Sequence, residues 1–312
     1  MARCLITRGL PGDAPRRLGE AGHDVELRGH RLPPAHGELL ELAPRFHALL
    51  TMLTDPIDEA VIEAAPGLRA IANYAVGTDN VDLDAATARG IPVGNTPDVL
   101  TETTADLALA LMLALMRRVV EGWDEVRAGE WLTWEPARLL GHDLHGATVL
   151  VVGVGRIGGA VARRLEGFGC RVLEAGREDP IDPLLPEADV VTLHCPLTPE
   201  TRGLIGSEQL EAMKPTAYLV NTARGPIVNT AALMEALTAG AIAGAALDVT
   251  DPEPLPAEHP LLRTPGLLVV PHIASATHTT REAMADMAVE NLLAALAGER
   301  MPHCANPEVY DR

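Results

Sequence analysis

The residues best placed to do chemistry fall into two sets, both in the second half of the chain. The first is Gly153-Val154-Gly155-Arg156-Ile157-Gly158, directly after the apolar run 149–152 and before a stretch of helical period. At this spacing Gly153 permits a tight turn and Gly155 lets a pyrophosphate approach the backbone. Gly158 lets a helix pack close to a sheet, and the anion rests on free N–H groups at the helix N-terminus. A second apolar run at 171–173 supplies the next strand, which separates this motif from an ordinary glycine-rich turn. The second set is three loops, each expected after a strand: Asn221-Thr222-Ala223-Arg224-Gly225, the run 247–254 with Asp248 and Glu253, and Pro271-His272-Ile273-Ala274-Ser275-Ala276. Loops at the carboxyl ends of parallel strands bind ligands, so one cleft can gather Arg224, Glu253 and His272. Alone, each of these side chains reads as a solvated charge or a core histidine. On three successive strand ends behind a dinucleotide fingerprint, they read as a site.

The elements that must position these residues are legible as alternation. Short apolar runs at 4–7, 48–52, 68–72, 149–152, 171–173, 190–193, 217–220, 243–247 and 267–270 are separated by stretches of helical period. Strand, helix, strand in series predicts parallel sheets covered on both faces. The pattern restarts near Val149. The expected fold is α/β, with two Rossmann-like or flavodoxin-like parallel-sheet domains and a cleft between them. The first domain is expected at 1–96 plus 276–312 and binds substrate; the dinucleotide-binding domain covers 97–275. The segment 103–120 is apolar on nearly every side and predicts one long helix buried between two sheets.

Composition narrows the function. The chain has 312 residues, 47% of them hydrophobic, with 43 acidic against 25 basic side chains and a net charge of −18. Such a surface repels nucleic acid and anionic lipid, so neither is an expected partner. It also repels an anionic substrate at long range, and a pocket for one must supply its own cation. The longest apolar run, 107–116, is too short to span a bilayer, and residues 1–6 enter a strand pattern with no signal-peptide plan. The expected location is the cytoplasm. Cys4, Cys170, Cys195 and Cys304 form no C-x-x-C pair, and the eleven histidines show no H-E-x-x-H, so no metal is expected.

The end of the second strand bears on which nicotinamide cofactor binds. An acid there suits the ribose 2′-hydroxyl of NAD, an arginine the 2′-phosphate of NADP. The sequence reads Glu174-Ala175-Gly176-Arg177. Glu174 falls one step early, within the strand, which leaves NAD(H) open. Arg177 stands just past the strand end and favours NADP(H).

Several stretches, in type, order and spacing, resemble the D-isomer-specific 2-hydroxyacid dehydrogenase family over essentially the whole chain. They are Asn73-Tyr74-Ala75-Val76-Gly77-Thr78-Asp79-Asn80-Val81-Asp82, the glycine motif, His194-Cys195-Pro196-Leu197-Thr198 and the three loops. The run from Leu247 to His278 is most similar to the branch of that family that reduces glyoxylate and hydroxypyruvate. The resemblance implies hydride transfer between NAD(P)H and a small 2-oxo acid, giving a D-2-hydroxy acid. His272 is then the general acid, with Glu253 on its other ring nitrogen fixing the tautomer and favouring imidazolium. Arg224 holds the substrate carboxylate, aided by the backbone N–H groups of Val76 and Gly77 and by Ser275. The dinucleotide is implied to contact Arg156, Ile157, Pro196, Thr222, Asp248 and Ala274 besides the three glycines and Arg177. The resemblance also implies a homodimer in which a loop tryptophan, Trp134 better than Trp131, reaches the partner's active site. Between Arg177 and Asp189 the chain is shorter and richer in proline than the family pattern, which opens the adenine side. A phosphoglycerate dehydrogenase and a dinucleotide-sensing corepressor are the alternatives; the first needs extra cations, the second needs no intact Arg224, Glu253, His272 set.

Overall fold

The computed structural model describes residues 1–311. The chain divides into two compact units: Met1–Leu100 with Ala276–Arg312, and Thr101–Ser275. In the first, β1 (Arg3–Ile6), α1 (Ala14–Glu20), β2 (Asp24–Leu27), α2 (His36–Leu42), β3 (Ala48–Met52), α3 (Glu59–Ala64), β4 (Ala70–Tyr74), α4 (Leu83–Ala88) and β5 (Val93–Gly94) follow in order. The second holds α5 (Thr101–Met116), α6 (Val119–Ala128), β6 (Thr148–Val152), α7 (Arg156–Gly167), β7 (Arg171–Ala175), β8 (Val190–Leu193), α8 (Ser207–Ala212), β9 (Tyr218–Asn221), α9 (Thr230–Ala239), β10 (Gly244–Leu247) and β11 (Leu267–Val269). The chain then returns to the first unit as α10 (His278–Ala297).

Every strand pair in both sheets is parallel. The first sheet runs β2-β1-β3-β4-β5 and the second β11-β10-β9-β8-β6-β7. The central strands are continuous apolar runs because successive side chains feed two different cores. In β6, Leu150 and Val152 enter one cluster with Leu193, Leu219 and Leu247, while Val149 and Val151 enter another with Ala108, Met112 and Val161. In the first unit Cys4, Ile6, Leu50 and Ala72 face the C-terminal helix through Met284, Ala288 and Leu292. Leu5, Leu49 and Ile71 face Val61, Ile62 and Phe46 on the other side.

Two expectations need correction, and two strands were not expected. The segment 103–120 is not one helix: α5 ends at Met116, whose carbonyl oxygen accepts from the His142 N–H, and Arg118 turns into the left-handed region at φ 52°. The chain resumes as α6, which buries none of its residues; Val119, Val120, Trp123 and Val126 are exposed. The strand expected at 68–72 lies two residues later, and two strands carried no apolar signal. These are β2, a half-exposed edge strand reading Asp24-Val25-Glu26-Leu27, and the two-residue β5.

Candidate active site

In the second sheet β7 and β8 flank β6, so the winding reverses at the carboxyl ends of β6 and β8. The glycine motif occupies this reversal. Gly153 has φ 91°, and a β-carbon there would stand 2.5 Å from the Cys195 nitrogen, just past β8. A β-carbon on Gly158 would meet the Gly153 carbonyl oxygen at 2.0 Å, so any other residue would force the first turn of α7 off the strand. Gly155 has nothing within 4 Å of its β-carbon position and caps the 12-residue α7. A crowded turn with open space at the helix N-terminus fits a dinucleotide pyrophosphate.

β9, β10 and β11 are neighbours, and the three polar loops leave their carboxyl ends side by side. The Asn221 side chain shapes the first. Its Oδ1 accepts from the Ala223 N–H at 3.0 Å and its Nδ2 donates to the Arg224 carbonyl at 2.8 Å. Gly225 then crosses the next loop so closely that a β-carbon would lie 2.0 Å from the Thr250 carbonyl oxygen. The Thr250 N–H in turn donates to Glu253 Oε2 at 3.3 Å, and Glu253 Oε1 meets His272 Nδ1 at 2.6 Å. Backbone contact and hydrogen bonds thus connect the Arg224 loop to the imidazole. The pair is half-buried, with side-chain exposures of 25% for His272 and 30% for Glu253.

His272 itself is held at φ 52°, in the left-handed region that non-glycine residues seldom occupy. Asp248 secures it. Its backbone carbonyl accepts from the His272 N–H at 2.9 Å, and its buried carboxylate accepts from the N–H groups of Ile273 at 2.6 Å and Ala274 at 3.0 Å. Burial pushes the Asp248 carboxyl above the usual carboxylate range, opposed by those two N–H groups. With Nδ1 engaged by Glu253, Nε2 is the ring atom left to face a ligand.

The other expected residues are distributed as follows. Thr222, Ala274 and Ser275 are buried among these loop ends; Pro196, Arg156 and Arg177 are exposed at the ends of β8, β6 and β7. Glu174 lies inside β7, opposite Val151, and not at its end. Trp134 is 80% exposed, in the irregular stretch after α6. Val76 and Gly77 belong to the other unit, where their carbonyls accept from Asn95 and Asn73 side chains. Two residues escaped sequence reasoning. Asn221 reads as the last residue of a strand, yet it brackets Arg224. His194, one residue past β8, meets Thr192 Oγ1 through Nε2 at 2.9 Å and Thr222 Oγ1 through Nδ1 at 3.4 Å. Burial pushes its imidazole down to about 4, so it is neutral at physiological pH. Its place directly after β8, beside Gly153, was the available signal. Among the described residues no group of three or more His, Cys, Asp or Glu side chains could hold a metal ion, and no helix is long and apolar enough to cross a membrane.

A fold of two parallel α/β units, with a dinucleotide turn and an imidazole–carboxylate pair on adjacent strand ends, defines a nicotinamide-dependent oxidoreductase. The sequence model of the D-isomer specific 2-hydroxyacid dehydrogenase NAD-binding domain matches residues 109–274. The chain is 49% identical to a glyoxylate reductase of Korarchaeum cryptofilum, covering 98% of this chain and 96% of that protein. It is 46% identical to a glyoxylate reductase of Pyrococcus furiosus, covering 98% and 96%. Among solved structures, a protein from Thermus thermophilus superposes with a TM-score of 0.92 at 52% identity, over 97% of this chain and 99% of that one. The NADPH-dependent glyoxylate/hydroxypyruvate reductase of Sinorhizobium meliloti gives 0.86 at 33%, over 98% and 97%. The chain belongs to the D-isomer specific 2-hydroxyacid dehydrogenase family. It is an NAD(P)H-dependent reductase of small 2-oxo acids.

Proposed function

We propose that the enzyme reduces glyoxylate and hydroxypyruvate to the corresponding D-2-hydroxy acids, with NADPH preferred to NADH. The observation that carries this reading is the 2.6 Å contact between His272 Nδ1 and Glu253 Oε1, which leaves Nε2 to serve a carbonyl. The bound nicotinamide supplies the hydride to the carbonyl carbon. His272 gives its Nε2 proton to the carbonyl oxygen, and Glu253 stabilises the imidazolium that must be present beforehand. Arg224 binds the substrate carboxylate and polarises the carbonyl, the local cation that a chain of net charge −18 requires. The N–H groups of Val76 and Gly77 share in binding the carboxylate: their carbonyls are fixed by asparagines, and neither N–H has a hydrogen-bond partner among the described residues. Ser275 adds a further hydrogen bond. Asp248 acts by holding the loop of His272 beside the nicotinamide.

Gly153, Gly155, Arg156, Ile157 and Gly158 receive the pyrophosphate, and Pro196, Thr222 and Ala274 line the nicotinamide side. Arg177 is exposed past the end of β7 and makes no ion pair among the described residues, which suits a 2′-phosphate. The exposed apolar side chains of α6 and of Trp131, Leu132 and Trp134 support a homodimer in which Trp134 reaches the partner's site. Four free thiols support a reducing, cytoplasmic setting.

Turnover of glyoxylate, hydroxypyruvate and longer 2-oxo acids with NADH and NADPH in parallel tests the reading. The two small acids should give the highest kcat/KM, and a longer acid that exceeds both would overturn it. Arg177→Ala should raise KM for NADPH more than for NADH. Equal changes, or an initial preference for NADH, would mean that Arg177 is a surface charge.

A further inference from the structure

The first unit has a winding reversal of its own, unused by the reading above. Its sheet runs β2-β1-β3-β4-β5, so β2 and β3 lie on opposite sides of β1. Open parallel sheets bind ligands outside the carboxyl ends of their strands at such a point. A cavity of about 560 Å³ lies there, lined by residues at the carboxyl ends of β1, β2, β3 and β4 and by Arg281 of α10.

Its charge runs against that of the molecule. In a chain with 43 acids and 25 bases, the lining includes Arg8, Arg28, His30, Arg31 and Arg281, and no acid. Arg28 is answered by Glu38, which takes it at 2.6 and 2.8 Å. Arg31 is exposed and makes no ion pair among the described residues. Asp55, the acid nearest in sequence to this edge of β3, is buried and turned to Thr7 Oγ1 and the Met52 N–H. Arg8 donates from one terminal nitrogen to Thr54 Oγ1, while its buried Nε has no hydrogen-bond partner among the described residues. A buried guanidinium donor without an acceptor is costly unless a ligand supplies one. Arg8 and Arg31, the two arginines here that no acid answers among the described residues, also repel one another until an anion is present.

The remaining wall is apolar, with Leu10, Leu27 and Met52. A ligand that suits it carries its charge at one end and a short carbon skeleton at the other. A monocarboxylate as small as glyoxylate would answer one cation and leave most of the volume unfilled.

We propose that this cavity is a second anion site, which binds a small organic polyanion, either a phosphate monoester or a polycarboxylate, separately from the 2-oxo acid held by Arg224. Arg8 and Arg31 bind the charged end, with oxygen acceptors on the Arg8 Nε and the Arg31 fork.

Calorimetric titration of the full-length enzyme, saturated with its preferred reduced cofactor so that the nucleotide's own phosphate sites are filled, tests the proposal. Inorganic phosphate and tricarballylate are the two probes, and the stronger binder identifies the class of ligand. Saturable one-to-one binding of at least one is expected, weakened about tenfold or more by Arg31→Ala and by Arg8→Gln. Arg31→Glu, at an exposed position where folding is not at stake, should abolish it. Arg224→Lys should leave it unchanged, and glyoxylate should not displace the probe. No saturable binding of either probe, binding indifferent to Arg31→Glu, or displacement by glyoxylate would each overturn the proposal.

Discussion

The carboxyl edges of the two sheets are built on opposite principles. On the six-stranded sheet the polar groups answer one another: His272 has Glu253, Asp248 has two backbone N–H groups, Asn221 brackets Arg224, and His194 sits between two threonines. On the five-stranded sheet several stand open. The Arg8 Nε has no acceptor, Arg31 no acid, and the N–H groups of Val76 and Gly77 no partner among the described residues. On the roles proposed above for these residues, the difference separates two tasks. Groups that move protons must be oriented before the reactants arrive, because reorganisation would add to the barrier. Groups that only capture an anion can wait for it to complete their hydrogen bonds.

If that division is right, damage to the paired edge lowers kcat and damage to the open edge lowers affinity. The largest effect should come from His272→Ala. Its kcat should fall by at least about 100-fold, the usual share of a positioned general acid, while cofactor affinity measured by fluorescence titration stays close to that of the parent. Near-normal turnover would end the mechanism and the comparison together.

Gly225→Ala probes the pairing without touching a reacting group. A β-carbon 2.0 Å from the Thr250 carbonyl oxygen must separate the two loops. Overpacking of this kind costs about 1–3 kcal/mol, visible as a lowered Tm, and kcat should drop with it because Glu253 hangs from Thr250. A variant with parental Tm and kcat would show that the crossing has no role.

Glu253→Gln sharpens the comparison at the imidazole itself. The amide can still meet Nδ1, but it lacks the charge of the carboxylate now 2.6 Å away. Under the proposed mechanism kcat for reduction should fall about tenfold or more, with cofactor affinity kept. A parental kcat would show that Glu253 does not serve His272.

The smallest effect concerns stability. His194 titrates near 4 in the fold, against 6.5 for an ordinary histidine. The unfolded chain therefore takes up a proton that the folded chain refuses. The stability that His194 contributes is full above 6.5 and is lost as pH falls from there towards 4. His194→Gln should flatten this part of a denaturation series, whereas an unchanged slope would show that the ring is charged in the fold.

Much of this arrangement was legible in the sequence because buried parallel strands and glycine turns leave dense signals. The runs at 48–52, 149–152 and 190–193 coincide with β3, β6 and β8 to within a residue. Arg224, Glu253 and His272 stood out since each follows such a run. What escaped was set by contacts distant in the chain. β2 and β5 have no apolar pattern of their own and exist by pairing with β1 and β4. The end of α5 at Met116 depends on an N–H supplied from residue 142. His194 looked like a link in a motif, and its neutral state follows from burial against its own strand, through Thr192, and against Thr222 past the end of β9. The cationic cavity was invisible for the same reason, because its arginines come from positions 8, 28, 31 and 281.

The first unit is assembled from both ends of the chain, with α10 laid across β3 and β4. During synthesis, then, the first hundred residues emerge with one face of their sheet covered only in part, by α1. The whole second unit is made before Met284, Ala288 and Leu292 arrive to cover it. The second unit can fold as soon as it leaves the ribosome; the first must wait, its apolar face a target for chaperones and for other nascent chains. Ribosome stalling or cleavage ahead of residue 278 would leave a sound nucleotide-binding body attached to an aggregation-prone half.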